Sequence, residues 1–235
     1  MIPKLIHQIY GLKDPGPVPK NLADCQQTWI QQNPDWSYKL WNREDIEDLL
    51  HGYPKWQTAF HRLDHWVEQC DFARYVIVYH YGGVYADLDT VCQTPAKEWT
   101  KYNGLVVGLE ADVDDYEKAF HRLARNKQYC QWTFASVPRH NALYELIEYI
   151  ANITSQSCFK EHKILNTTGP GAFTDIVQNA PNVLRLPIAA FAGGQAHSQS
   201  PPTTDPGCYV VHKFEGSWKI PGYLRPVKKL WSLIT

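Results

Sequence analysis

A double glycine, Gly82-Gly83, separates a segment of helical spacing from a short β-prone run, and this junction constrains the chain more than any other stretch. Before it, Trp66, Val67, Cys70, Ala73, Ile77 and Tyr81 recur at three- and four-residue intervals, which predicts a helix with Asp71, Arg74 and Tyr75 grouped on one side. Glycine just past the last periodic residue supplies the left-handed turn that ends a helix. After it, Val84-Tyr85-Ala86 predicts a strand delivering Asp87 and Asp89 to its C-terminal end, where open α/β sheets bind ligands. If the strand persists, alternation points both carboxylates the same way. Two oxygen ligands a few ångströms apart then suit a hard divalent cation, which can hold a diphosphate.

Two aspartates separated by one residue also occur by chance, and Asp112-Val113-Asp114 is a second such pair. Residues 111–117 are polar and acidic, so the second pair reads as a solvated loop or helix start. The weight therefore falls on Asp87 and Asp89, whose helix–glycine–strand context is the more specific feature.

A chain of 235 residues is long enough for one domain with a sizeable core. Its net charge of −1 and lack of a long basic run give no reason to expect nucleic acid. Six dispersed cysteines without a Cys-x-x-Cys pair argue against structural zinc. His61 and His65 stand four apart on an expected helix, but Arg62 replaces the glutamate of a metalloprotease motif. No apolar stretch approaches the roughly 18 residues of a membrane span. The expected location is the cytoplasm, or a Golgi or secretory lumen if a targeting segment is missing, with at most peripheral membrane contact.

In chain order, strands are expected near Lys4–Tyr10, Trp36–Trp41, Leu105–Val107, Tyr129–Val137, Val183–Leu186 and Cys208–His212. Helices are expected over Asn21–Gln32, Arg43–Leu50, Tyr53–Leu63, Ala142–Ile153 and Ala172–Gln178. Thr168-Gly169-Pro170-Gly171 is a Gly-rich helix entry that can present backbone N–H groups to an anion or a sugar hydroxyl, or serve as an ordinary turn.

The pattern Asp71-x-x-Arg74-Tyr75 followed by Tyr81-Gly82-Gly83-Val84-Tyr85-Ala86-Asp87-Leu88-Asp89 resembles the signature of glycosyltransferase family 32. That family contains outer-chain-initiating and inositol-phosphoceramide mannosyltransferases, and its core is similar to that of the clostridial glucosylating toxins. The resemblance implies an α/β fold of the GT-A type, with a mixed, mostly parallel sheet flanked by helices. It implies a single catalytic domain over 1–235 with a small helical lobe at about 42–65.

The resemblance extends to Ile2-Pro3-Lys4-Leu5-Ile6-His7-Gln8-Ile9-Tyr10, where Tyr10 replaces a tryptophan usual in the family, and to His212 with Gly216-Ser217-Trp218. By analogy Tyr10 stacks on the donor base, with His7, Gln8 and Tyr85 also on the donor side. Asp71 and Arg74 hold donor-sugar hydroxyls, Thr168 and Gly169 lie near the sugar, and Trp218 lies near the phosphates. Asp89, Asp87, His212 and Ser217 become the ligands of Mn²⁺ or Mg²⁺. The implied donor is GDP-mannose or a UDP-hexose, the acceptor a glycan or glycolipid, and the transfer retains anomeric configuration.

Two rivals remain at this point. Asp87-Leu88-Asp89-Thr90-Val91 also meets the nucleophile motif of haloacid-dehalogenase phosphatases, with Asp87 phosphorylated and Asp89 the general acid. Alternatively, the scaffold binds a sugar nucleotide without turnover, a reading for which Tyr10 is the one visible departure.

Overall fold

The computed structural model describes residues 1–13, 15–121, 123–156, 164–193 and 207–214. The chain opens with strand β1 (Leu5–Ile9), helix α1 (Lys20–Gln32) and strand β2 (Ser37–Trp41). Helices α2 (Arg43–His51) and α3 (Pro54–Arg62) follow, the first started by an Asn42–Asp45 capping box and the second by Pro54 at its first position. Helix α4 (Trp66–Tyr81) leads through Gly82 into β3 (Gly83–Ala86) and then β4 (Thr90–Cys92). Next come β5 (Leu105–Asp112), α5 (Asp115–His121), β6 (Lys127–Ser136) and α6 (Asn141–Thr154). The last described elements are α7 (Ile164–Thr167), α8 (Pro170–Val177), β7 (Val183–Leu186), β8 (Phe191–Gly193) and β9 (Val210–His212).

Six strands form a mixed sheet in the order β2-β1-β3-β6-β5-β7. β1 runs parallel to both β2 and β3, β5 runs parallel to β7, and β6 is antiparallel to β3 and β5. Alternation along β3 divides the core. Tyr85 joins Phe72, Tyr75, Phe134, Leu146 and Phe173 on the α4 side, while Val84 and Ala86 join Trp29, Val106, Trp132, Ala135 and Phe191 on the other. Helix α4 is buried over most of its circumference, so its polar residues Asp71 and Arg74 lie inside the protein. The helix ends at Gly82 with φ 65°, and the Gly82 N–H donates to Val78 O at 2.9 Å. Gly83 follows at φ 94°, and a Cβ there would lie 2.6 Å from Leu5 O, so the close approach of β1 requires glycine.

The expectation that the strand persists through Asp89 is corrected by the structure. β3 ends at Ala86, and its last rung is the Asp87 N–H donating to Trp132 O at 2.8 Å. Asp87-Leu88-Asp89 is a turn, closed by Thr90 N–H and Thr90 Oγ1 donating to Asp87 O at 3.1 and 2.5 Å. The chain then enters a second sheet, β4-β9-β8, in which Thr90 pairs with His212. His61 and His65 do not share a helix either. His61 lies near the end of α3 and bonds Glu47, while His65 caps α4 beyond the break at Leu63 and Asp64.

Candidate active site

The site begins where β3 stops. Because β9 pairs with β4 in register with Thr90, His212 is carried to the Asp87–Asp89 turn from the far end of the described chain. Asp87, Asp89 and His212 each offer one ligand atom, and these atoms all lie within 4.8 Å of one another. His212 Nε2 is 3.0 Å from Asp89 Oδ1. The ring is packed by Phe214 and Trp132 at centroid distances of 4.0 and 4.7 Å. Its Nδ1 is buried and has no hydrogen-bond partner among the described residues. Burial opposes the charged imidazolium, but Asp89 at hydrogen-bond distance more than offsets it, so the His212 pKa is raised overall.

The turn itself is braced. Gln8 Nε2 donates to Asp87 O at 3.1 Å, and Gln8 Oε1 accepts from Tyr38 Oη at 2.7 Å. Trp29 Nε1 donates to Thr90 Oγ1 at 3.0 Å. These contacts fix the backbone from which both carboxylates project.

Behind the turn lies a buried charged group. Arg74 NH2 lies 3.0 Å from Asp71 Oδ1 and 3.3 Å from Asp87 Oδ1, so one guanidinium serves two carboxylates. Its carbon lies 4.9 Å from the centroid of the Tyr85 ring, and Tyr85 Oη donates to Asp87 Oδ1 at 2.7 Å. Asp71 Oδ1 accepts from Gln131 Nε2 at 3.2 Å and Asp71 Oδ2 from Thr168 Oγ1 at 3.1 Å. Tyr75 Oη reaches both Gln131 Oε1 and Thr168 O. Burial pushes the Asp71 carboxyl up to about 7 against the pull of Arg74, and burial likewise raises Asp87. A surface ion pair between Asp71 and Arg74 is therefore excluded, since the residues are 2% and 4% exposed.

The structure brings Tyr85, Asp87, Asp89, Asp71, Arg74, Thr168 and His212 into one connected group. Both Asp71 oxygens accept hydrogen bonds from the protein, and the carboxylate braces Arg74. His7 is turned into the protein: its Nε2–H donates to Gly82 O at 2.9 Å, and Nδ1 accepts from Trp41 Nε1 at 3.2 Å. Tyr10 follows β1 and donates its hydroxyl to Pro17 O at 3.3 Å. Gly169 caps α8, where a Cβ would come within 2.9 Å of Leu165 Cα. Ser217 and Trp218 lie outside the described residues. In the second acidic pair, Asp112 is exposed at the end of β5 and Asp114 Oδ1 caps α5 by accepting from Glu117 N at 2.8 Å.

Sequence reasoning missed Gln131 and Trp132. Gln131 is a polar interruption in the otherwise apolar run Tyr129-Cys130-Gln131-Trp132, and that interruption is the signal that could have exposed it. It donates to Asp71 and accepts from Tyr75, while its carbonyl accepts from Arg74 NH1 at 3.3 Å.

Two solved structures share this architecture. The PaToxG glycosyltransferase superposes with a TM-score of 0.55 at 14% identity, covering 77% of this chain and 70% of its own. Mouse xyloside xylosyltransferase 1 in its apo form gives 0.53 at 9% identity, covering 92% and 99%. Together with the mixed sheet and the acidic turn at the end of β3, they define the fold as the GT-A type.

Sequence comparison narrows the class. The family described as the glycosyltransferase sugar-binding region containing a DXD motif matches residues 19–105. The initiation-specific alpha-1,6-mannosyltransferase of Candida albicans is 32% identical over 94% of this chain and 73% of its own length. The enzyme of the same name from Schizosaccharomyces pombe is 32% identical over 93% and 64%. Inositol phosphoceramide mannosyltransferase 1 of S. pombe is 27% identical over 72% and 49%, so the chain spans from about half to about three quarters of these relatives' lengths. The chain belongs to glycosyltransferase family 32, and the phosphatase reading falls with that assignment.

Proposed function

We propose that this chain transfers a mannose unit from a nucleotide-sugar donor to a glycan or glycolipid acceptor, with retention at the anomeric carbon and with the help of a divalent cation. The observation that carries the reading is the convergence of Asp87, Asp89 and His212 at the end of β3. The two carboxylates suit Mn²⁺ or Mg²⁺, and the imidazole favours the transition metal Mn²⁺ of the two. Asp89, His212 and Asp87 would be the residues that hold it, their ligand atoms lying within 4.8 Å of one another. A cation held there would neutralise charge developing on a departing diphosphate.

The chain's own residues supply position and field. Tyr85 and Arg74 hold Asp87 Oδ1, and among the described residues Asp87 Oδ2 has no hydrogen-bond partner. That oxygen would accept a hydroxyl of the donor's ribose or sugar. Arg74, held by Asp71 and the Gln131 carbonyl, keeps positive charge behind the turn at no reorganisation cost during reaction.

Glu110, the next buried carboxylate, accepts from Gln128 Nε2 at 2.7 Å and Trp132 Nε1 at 3.3 Å. With its oxygens so engaged, same-face attack is favoured over a covalent intermediate. The acceptor oxygen bonds to the anomeric carbon as the bond to the diphosphate oxygen breaks. The electron pair leaves with the diphosphate, which takes the acceptor's proton.

The test offers GDP-mannose, UDP-glucose and UDP-galactose side by side, with and without Mn²⁺, and reads the product's anomeric configuration by NMR. Cation-dependent turnover of GDP-mannose with retention supports the proposal. Cation-independent transfer or inversion would overturn it, and donor binding without turnover would revive the non-catalytic reading.

A further inference from the structure

A second site lies at the opposite end of β3 from the acidic turn. Tyr81 precedes that strand and Asp87 follows it, and four strand residues span about 13 Å. There, Asp48, Leu49, Gly52, Tyr53, His80, Tyr81 and Arg139 line an open cleft of about 500 Å³. None of them takes part in the machinery described above.

Three features of this cleft need a reason. Tyr81 is 40% exposed, although its ring belongs to an aromatic array. Its centroid is 4.4 Å from that of His80 and 5.5 Å from that of Trp41, so the ring is held in place on one side and open on the other. Second, Tyr53 Oη and His80 Nδ1 are joined at 2.6 Å, which fixes the imidazole, and its Nε2 has no hydrogen-bond partner among the described residues. Third, Arg139 has φ 59°, a strained conformation for a non-glycine residue, held by its N–H donating to Tyr79 O at 2.7 Å. Arg139 and Asp48 are exposed and of opposite sign on one cleft, yet neither forms an ion pair among the described residues.

We infer that this cleft is a second carbohydrate site, taking a neutral pyranose unit of an oligosaccharide with its C–H face on Tyr81 and its hydroxyls on Asp48, His80 and Arg139. An aromatic platform with a few convergent polar groups is the composition of a small-ligand cleft, and about 500 Å³ is within the usual size range. The charges select the class. An anionic ligand would satisfy Arg139 but meet Asp48, and a cation would meet the reverse. A polyol donates to the carboxylate and accepts from the guanidinium at once. The site would hold part of a glycan away from the reacting end, and it does not depend on which sugar is transferred.

The test uses the full chain in NMR titrations with a neutral α-1,6-linked mannotetraose and, in parallel, mannose 6-phosphate. The expected result is saturable shifts of the His80 and Tyr81 signals with the neutral sugar, weakened about tenfold or more by Tyr81→Ala and by Asp48→Asn. Donor hydrolysis is expected to be unchanged in both variants, which separates this site from the acidic turn. Shifts confined to residues near Asp87 and Asp89, no shifts at millimolar sugar, or tighter binding of the phosphorylated sugar would each overturn the inference. Should donor hydrolysis be absent in the wild type while the shifts at Tyr81 persist, the proposed transfer would fail and this site would stand.

Discussion

His212 Nε2 meets Asp89 Oδ1 at 3.0 Å across 123 residues of sequence. The contact exists because β9 pairs with β4 immediately after the acidic turn, so a second, three-stranded sheet closes the site. Removing either side chain is expected to act on the cation before the fold. Asp89→Ala and His212→Ala should each weaken Mn²⁺ binding at least tenfold by calorimetry. Cation-dependent turnover should fall by two or more orders of magnitude, as when a key electrostatic group is lost.

Arg74 is predicted to be the costliest single loss behind the turn. Arg74→Met leaves the Asp71 and Asp87 carboxylates close together without their shared cation, in a site where Arg74's side chain is 5% exposed. Breaking a buried charge group by removing one partner typically costs about 3–5 kcal/mol. Urea unfolding should show a loss of that size, and Arg74→Lys should recover only part of it because a point charge cannot reach both carboxylates as the guanidinium does.

His7 predicts an acid limb in stability. Burial pushes its pKa from 6.5 down to about 4, against the opposing hydrogen bond to Gly82 O. Between those values the unfolded chain binds a proton that the folded ring refuses. The contribution is therefore fully present above about pH 6.5 and is lost as the pH falls toward 4, by about 3 kcal/mol in all. Urea midpoints measured from pH 7.5 to 4.5 should fall accordingly. In His7→Gln they should start lower, because the Trp41 and Gly82 contacts are disturbed, and fall less steeply.

Gly83→Ala is predicted to destabilise the fold by on the order of 2 kcal/mol or more, since φ 94° and a contact of 2.6 Å to Leu5 O leave no room for a methyl group. Thermal melting is the check. The exposed Gly52, with φ −72° and Leu49 O 3.6 Å from an added Cβ, is the control position and should tolerate alanine.

The sheet and helices were legible where pattern and chemistry agreed. β7 lies at the expected Val183–Leu186, and α1, β2 and α6 lie within a residue or so of expectation, because periodicity and caps act locally. The path of the chain after Ala86 was not legible. Asp87-Leu88-Asp89-Thr90 continues the alternating pattern of β3, and only the distant β9 draws Thr90 into another sheet. The burial of Asp71 and Arg74 was likewise hidden. Their spacing on α4 is the same for a surface pair, and burial depends on β6 and the α7–α8 junction covering the helix. Gln131 escaped for the same reason, since its role arises only when β6 lies beside α4.

The most direct measurement is the anomalous diffraction of crystals grown with Mn²⁺ and GDP-mannose. The account predicts an anomalous peak bonded to Asp89 and His212, with Asp87 at the same ion or one water away, and the diphosphate on its far side. A peak elsewhere, with the Asp89–His212 contact intact at 3.0 Å and the donor bound regardless, would contradict it.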